Sequence, residues 1–273
     1  MARIEFLSRF DPIEISDSDL ELNGLRSLTF YSSALKGRGD VSLYVPPQCL
    51  NLTDVPLVIL LHGVYGSHWV WFMKGAAHLT AQRLINEGAI RPMLIVAPSD
   101  GLRGDGSGYL PYPEADFECW IVEDVIDCVR KIFPCVSANG TVLISGLSMG
   151  GYGALRLGMK YPKRFHAISA HSSITHIRQF AQFTRHTMHE ELLAPTEPDL
   201  LHWAQVCPES LPPMRFDCGI DDPLLFANRQ LHRDLQSLGV EHEFKEFEGA
   251  HTWNYWRTHL VETLLFFEKH LGI

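Results

Sequence analysis

The central part of the chain alternates between short, nearly all-apolar runs and amphipathic stretches. Apolar runs bounded by turn residues are typical of strands that are covered on both faces. The runs that predict strands are "LRSLTFYSS", "GDVSLYVPP", "PLVILLHG", "PMLIVAPSDG", "TVLISG", "FHAISAHSS", "PMRFDCG" and "EHEFKEFEG". The first two alternate more strongly between apolar and polar positions and have prolines at their edge, which indicates an outer antiparallel pair.

Amphipathic helices are predicted between the apolar strands. In "DFECWIVEDVIDCVRKIFP", apolar residues recur at a spacing of three or four, and Pro134 ends the pattern. The stretches "NRQLHRDLQSLG" and "NYWRTHLVETLLFFEKHLG" behave likewise, and each ends at a glycine that suits a helix C-terminus. This alternation predicts an α/β fold with a mostly parallel central sheet, an antiparallel N-terminal edge and helices on both faces.

Residues 172–213 break the alternation. This segment lies between two predicted strands, has no clear strand of its own and ends in prolines. It is too short to form a substantial core, so it predicts a small helical, cap-like insertion over the strand ends. Residues 1–273 are accordingly predicted to form a single domain.

The net charge of −9 argues against a nucleic-acid partner, because binding to phosphates needs clustered Lys and Arg. The N-terminus lacks the apolar region of a signal peptide, and no stretch is apolar for long enough to span a bilayer. We therefore expect a cytoplasmic protein that does not bind membranes. The six cysteines show no metal-ligand spacing and are expected to be reduced, although sequence leaves a disulfide open. A homo-oligomer also remains open.

The stretch "VLISGLSMGGYGA" places Ser148 where a predicted strand passes into a helix, between Gly146 and Gly150. A serine on such a turn is pushed above the sheet, and small neighbours are needed to make the turn. Two interpretations follow. Ser148 is either a catalytic nucleophile or an idle residue where a helix packs closely on a sheet.

A serine nucleophile requires a histidine base and an acid that orients the histidine. His251 follows the last predicted strand and precedes the last helix, which is the place where such a base occurs. The acid is expected after the preceding strand, where Asp221 and Asp222 are the candidates. Either aspartate could instead cap the following helix.

An oxyanion hole needs two backbone N–H groups. The residue after the nucleophile, Met149, is the first candidate. The second is expected in the loop of "VILLHGVYGSHW", with Val64 preferred and Tyr65 as the alternative.

Together these stretches resemble the esterase D-type group of α/β-hydrolases, which includes S-formylglutathione hydrolases, tributyrin esterases, feruloyl and acetylxylan esterases, and mycolyltransferases. The resemblance covers most of the chain from about Leu25. Its motifs are "LLHGVYGSHWVW", "FECWIVEDVID", "ISGLSMGGYGALRLGMKYPKRFHAISAHS", "CGIDDPLLFANRQLHRDL" and "GAHTWNYWR".

The resemblance implies specific roles. Ser148 matches the nucleophile of G-x-S-M-G-G, His251 matches the base of G-x-H-x-W, and the spacing G-x-x-D favours Asp222 over Asp221. It also implies oxyanion donors at Val64 and Met149. Glu118 resembles a family position at the head of a helix that braces the active-site loops.

The expected function is hydrolysis of short-chain acyl esters or thioesters through an acyl-enzyme, with a small-molecule ester as substrate and no metal or organic cofactor. Tyr65, Tyr109, Tyr112 and Trp253 are candidates for the substrate pocket. His186, His189 and Glu190 do not match a metal motif and are read as a solvated helix face. Alternative functions are acyl transfer to an acceptor other than water, with the same residues, and a catalytically silent protein that binds ligands.

Overall fold

A nine-stranded mixed sheet runs through the chain in a computed structural model that describes residues 8–185, 193–197, 199–206 and 208–272. Its strands are β1 (Ile13–Ile15), β2 (Leu25–Ser32), β3 (Gly37–Tyr44), β4 (Leu57–Leu61), β5 (Leu94–Pro98), β6 (Val142–Leu147), β7 (Ala167–His171), β8 (Met214–Gly219) and β9 (Glu243–Phe247). Their spatial order is β1-β2-β3-β5-β4-β6-β7-β8-β9. Strands β1, β2 and β3 pair antiparallel, as does β3 with β5, and the pairs from β5 to β9 are parallel.

Helices cover both faces of this sheet. They are α1 (Val70–Met73), α2 (Ala77–Asn86), α3 (Phe117–Cys119), α4 (Ile126–Ile132), α5 (Met149–Lys160), α6 (Leu200–Val206), α7 (Leu225–Ser237) and α8 (Trp253–His270). A π-helical segment, Trp120–Val125, joins α3 to α4. Apolar side chains of α1, α2 and α8 pack in one core layer, and those of α3 to α7 pack in the other.

Strand β4 shows why its apolar run is continuous. Leu57, Ile59 and Leu61 belong to one core layer, while Val58 and Leu60 belong to the other. Successive side chains of a strand point to opposite faces, so a sheet covered on both sides needs apolar residues at every position.

The predicted fold class is confirmed. Each predicted strand overlaps an observed one, and the first two form the antiparallel edge. The outermost strand β1 was not predicted, since it has only three residues. The described part of the 172–213 insertion contains a 3-10 helix at Ile177–Gln182, helix α6 and a second 3-10 helix at Pro208–Ser210.

Two further features bear on the sequence predictions. The cysteines that the structure describes are free thiols: Cys49, Cys119, Cys128, Cys135 and Cys218. None of the described helices combines the length and apolar character that crossing a bilayer requires.

Candidate active site

Ser148 stands on a sharp turn between β6 and α5. Its backbone has φ 54° and ψ −117°, a strained combination for a residue with a side chain. The turn also requires close backbone approach: a Cβ on Gly146 would lie 2.1 Å from the Gly150 carbonyl oxygen, and one on Gly150 would lie 2.2 Å from that of Leu61. Glycines at these positions therefore allow the turn that presents Ser148 above the sheet.

A chain of hydrogen bonds links Ser148 to two loops at the same edge of the sheet. His251 Nε2 lies 3.0 Å from Ser148 Oγ, and His251 Nδ1 lies 2.9 Å from Asp222 Oδ2. Asp222 follows β8 and His251 follows β9, so the carboxyl ends of parallel strands bring the three residues together. This is the arrangement that allows histidine to take a proton from serine.

The structure distinguishes the two candidate acids. The Asp222 side chain is buried, and its second oxygen, Oδ1, accepts a hydrogen bond of 2.8 Å from the Leu224 N–H, which fixes the carboxylate in its loop. Asp221 is exposed and donates its backbone N–H to Gly249. Only Asp222 is therefore placed to hold His251.

Comparing Asp222→Asn with Asp221→Asn tests this placement. We expect Asp222→Asn to lower kcat for a short ester by about 10³- to 10⁴-fold, because an amide no longer holds the imidazole in the required tautomer. Asp221→Asn is the matched control and should change kcat little. A larger loss at Asp221 than at Asp222, measured by steady-state kinetics, would contradict the placement.

The backbone N–H groups of Val64 and Met149, the two predicted oxyanion donors, differ from that of the alternative, Tyr65. Among the described residues, neither the Val64 nor the Met149 N–H has a hydrogen-bond partner. The alternative donor, the Tyr65 N–H, already donates to the Asp105 carbonyl at 3.0 Å. Val64 is thus the better-placed donor in this loop.

His62 holds the loop that carries Val64. Its Nδ1 lies 2.8 Å from the Gly63 carbonyl, and its Nε2 lies 3.2 Å from the Asp100 backbone N–H. With these partners, Nδ1 donates and Nε2 accepts. The ring is buried, and the Asp100 carboxylate also lies 3.6 Å from Nε2.

An open cavity of about 400 Å³ lies above Ser148. The described residues lining it are Gly63, Val64, Tyr65, Gly66, Trp69, Val70, Lys74, Leu147, Ser148, Phe183, His251, Thr252, Trp253 and Trp256. Tyr65 and Trp253 thus lie where the pocket prediction put them.

Tyr109 and Tyr112 require a correction, because neither lines this cavity. Tyr109 is completely buried, and its hydroxyl donates to the His62 carbonyl at 3.0 Å. The Tyr112 ring packs under the Arg103 guanidinium, 3.7 Å from it. Tyr109 therefore supports the loop that carries Val64, whereas Tyr112 packs against Arg103 within the loop that follows β5.

Phe183 in the insertion is a pocket residue that sequence reasoning missed. Its ring stacks on the His251 imidazole with centroids 5.1 Å apart and planes 25° apart. The Phe183 carbonyl also accepts a hydrogen bond of 2.8 Å from the Tyr65 hydroxyl. No periodic pattern in the insertion marks this residue, because the contact depends on how the segment folds over the sheet.

Glu118 contacts α5, the helix that follows Ser148. Its carboxylate accepts hydrogen bonds from Lys160 at 2.8 Å and from the Tyr161 hydroxyl, and it pairs with Arg156 at 2.5 Å. Burial acts to raise the pKa of this carboxyl, but Arg156, Lys160 and Tyr161 together lower it. Glu197 of the insertion also binds Lys160 at 2.8 Å. Glu118 therefore ties α3 to α5, and Glu197 ties the insertion to the same lysine.

A second polar network lies buried between the sheet and α8. Asp217 accepts hydrogen bonds from His171 Nδ1 at 3.0 Å, Arg215 at 2.6 Å and the Tyr255 hydroxyl at 2.8 Å. The Thr263 hydroxyl lies 2.8 Å from His171 Nε2. Burial acts to raise the pKa of Asp217, but His171, Arg215 and Tyr255 lower it to about 2. The network ties β7, β8 and α8 together beneath the site.

Metal binding has no support among the residues described, where no group of three or more His, Cys, Asp or Glu side chains is arranged to hold an ion. His186, His189 and Glu190 lie outside the described residues.

Comparison with known families identifies the chain. Residues 32–267 match the family model described as Putative esterase. The chain belongs to this esterase family. It is a carboxylic ester hydrolase, and the predicted resemblance to esterase D-type enzymes is confirmed.

Relatives of this esterase agree in length and fold. An acetyl esterase from Caldicellulosiruptor saccharolyticus is 26% identical over 272 residues, covering 90% of this chain and 98% of that protein. A ferulic acid esterase structure has a TM-score of 0.79 at 23% identity and covers 95% of this chain and 99% of its own. An S-formylglutathione hydrolase from Agrobacterium tumefaciens has a TM-score of 0.74 at 19% identity, covering 92% and 98%.

Proposed function

We propose that this esterase is a serine carboxylesterase that hydrolyses short-chain acyl esters and thioesters through an acyl-enzyme. The observation that carries the proposal is the hydrogen-bonded chain from Ser148 to His251 to Asp222, which begins at a strained turn and opens into the cavity. Each of the three residues has the partner that its role requires.

In the first half-reaction, the Ser148 Oγ attacks the ester carbonyl carbon while His251 Nε2 takes the hydroxyl proton. The negative charge that develops on the carbonyl oxygen is stabilised by the N–H groups of Val64 and Met149. The bond to the alcohol or thiol then breaks, and His251 returns the proton to the leaving group. Asp222 stabilises the imidazolium without taking its proton.

In the second half-reaction, a water molecule attacks the acyl-enzyme. His251 takes one proton from that water, the new C–O bond forms, and the bond to Ser148 Oγ breaks as the proton returns to serine. The products are the carboxylic acid and the free enzyme.

The volume and the lining of the cavity support the proposal of a short acyl group. Its volume of about 400 Å³ is at the small end for ligand pockets. Leu147, Val70 and Phe183 add apolar surface to it, and Phe183 closes one side above His251. The similarity to an acetyl esterase and to an S-formylglutathione hydrolase supports this substrate class.

The proposal is tested with 4-nitrophenyl acetate, butyrate and octanoate and with the thioester S-phenyl thioacetate. We expect the highest kcat/KM with acetate or butyrate, turnover of the thioester, and a burst of one nitrophenol per enzyme when deacylation is slower than acylation. Hydrolysis of octanoate in preference to acetate would overturn the short-chain assignment. A covalent acyl adduct found by mass spectrometry on a residue other than Ser148 would overturn the mechanism.

A further inference from the structure

One wall of the cavity is aromatic and ends at a lysine. We define the aromatic wall as Trp253 and Trp256, which lie edge to face with ring centroids 5.3 Å apart. Trp256 in turn lies edge to face with His251 at 4.9 Å. At the other end, the Lys74 ammonium is 5.4 Å from the centre of the Trp253 ring. The wall therefore leads in steps of about 5 Å from the catalytic histidine to a positive charge.

Lys74 has no carboxylate partner in the part of the chain that the structure describes. It forms no ion pair with any described residue, although the chain carries a net charge of −9. Among the described lining residues, it is the only side chain with a permanent charge. The Trp253 ring holds the ammonium at the cavity by a cation–π contact, which leaves its N–H donors for another group.

We propose that the natural substrate carries a carboxylate, which Lys74 binds at the far end of the aromatic wall while the scissile carbonyl lies at Ser148. This inference rests on the proposed function. A single cation matches a monoanion, whereas a phosphate dianion would leave one charge without a partner in an acidic protein. The spacer between carboxylate and ester carbonyl must span the two tryptophans.

Two pairs of acetyl esters test the proposal, because a short acyl group leaves the carboxylate to the alcohol part of the substrate. In the first pair, 3-acetoxybenzoate is compared with 3-acetoxybenzamide. In the second pair, 4-(acetoxymethyl)benzoate is compared with 4-(acetoxymethyl)benzamide, which places the carboxylate farther from the ester carbonyl.

We expect one pair to show a higher kcat/KM for the carboxylate than for the amide. In Lys74→Met that ratio should fall about fivefold, the most that an exposed ion pair usually contributes. Lys74→Arg should restore it, and raising the salt concentration should shrink it in the parent enzyme. Lys131→Met is the matched control, because it removes the same charge from an exposed position on α4, and it should keep the parent ratio.

The outcomes separate this inference from the function on which it rests. If the parent enzyme hydrolyses the esters that carry a carboxamide, but Lys74→Met leaves the carboxylate-to-amide ratio of kcat/KM unchanged in both pairs, the carboxylate proposal is wrong. The esterase proposal then stands. If Lys131→Met lowers the ratio as much as Lys74→Met, the effect is one of net charge and the site is refuted. If none of the four esters is hydrolysed, the proposed function itself fails.

Discussion

Ser148→Ala should lower kcat/KM for 4-nitrophenyl acetate by about 10⁴-fold or more, because removal of the nucleophile abolishes the acyl-enzyme pathway. What activity remains would come from the oxyanion donors and from substrate binding alone. The alanine variant should stay folded, because the Ser148 hydroxyl makes only one hydrogen bond among the described residues, and that bond is to His251. Steady-state kinetics and far-UV circular dichroism measure the two expectations.

Ser145→Ala is the control for this substitution. Ser145 lies three residues earlier in β6, is fully buried, and its hydroxyl has no hydrogen-bond partner among the described residues. Ser145→Ala removes the same hydroxyl group at a position outside the site, so this variant should retain activity. Full activity of Ser148→Ala, or an equal loss in Ser145→Ala, would show that Ser148 is not the nucleophile.

Of the proposed substitutions, Asp217→Ala should lower the free energy of unfolding most. It leaves Arg215 and His171 buried without their carboxylate, and breaking a buried ion pair in this way typically costs about 3–5 kcal/mol. We expect the free energy of unfolding, measured by urea denaturation at pH 7, to fall by that amount. Asp221→Ala removes an exposed carboxylate and should change it little.

Acid should reduce the difference between the parent enzyme and Asp217→Ala. The pKa of Asp217 is about 2 in the folded protein, below the value of about 3.9 for an unfolded chain. The ionised carboxylate therefore stabilises the fold fully above pH about 4, and this contribution is lost as the pH falls toward 2. A difference that stays constant from pH 7 to pH 2 would contradict the role of its charge.

The fold could be predicted from local sequence because its pattern is regular. Strand β4 is apolar at every position, and Pro134 and Gly239 mark where helical patterns end. Ser148 and His251 could be found in the same way, since each lies directly after a predicted strand and before a helix. At these positions the chain order alone places both at one edge of the sheet.

The remaining site residues depend on contacts that are distant in sequence. Asp221 and Asp222 follow the same strand, and their difference in burial comes from the loop conformation that the Leu224 N–H and Gly249 carbonyl fix. The positions of Tyr109 and Phe183 could not be predicted from local sequence for the same reason. The loop after β5 turns inward and the insertion turns over His251, and neither turn has a periodic signal.

The backbone around Ser148 has a consequence for redesign. Its N–H donates to the His171 carbonyl at 2.9 Å, and its carbonyl accepts from the Ile174 N–H at 3.2 Å. Both partners precede the part of the insertion that reaches the cavity. A chimera that exchanges residues 175–213 with those of a related esterase would therefore keep both backbone anchors of Ser148 while replacing Phe183. If the new segment supplies a carboxylate for Lys160 in place of Glu197, it can serve as an interchangeable cassette for acyl selectivity.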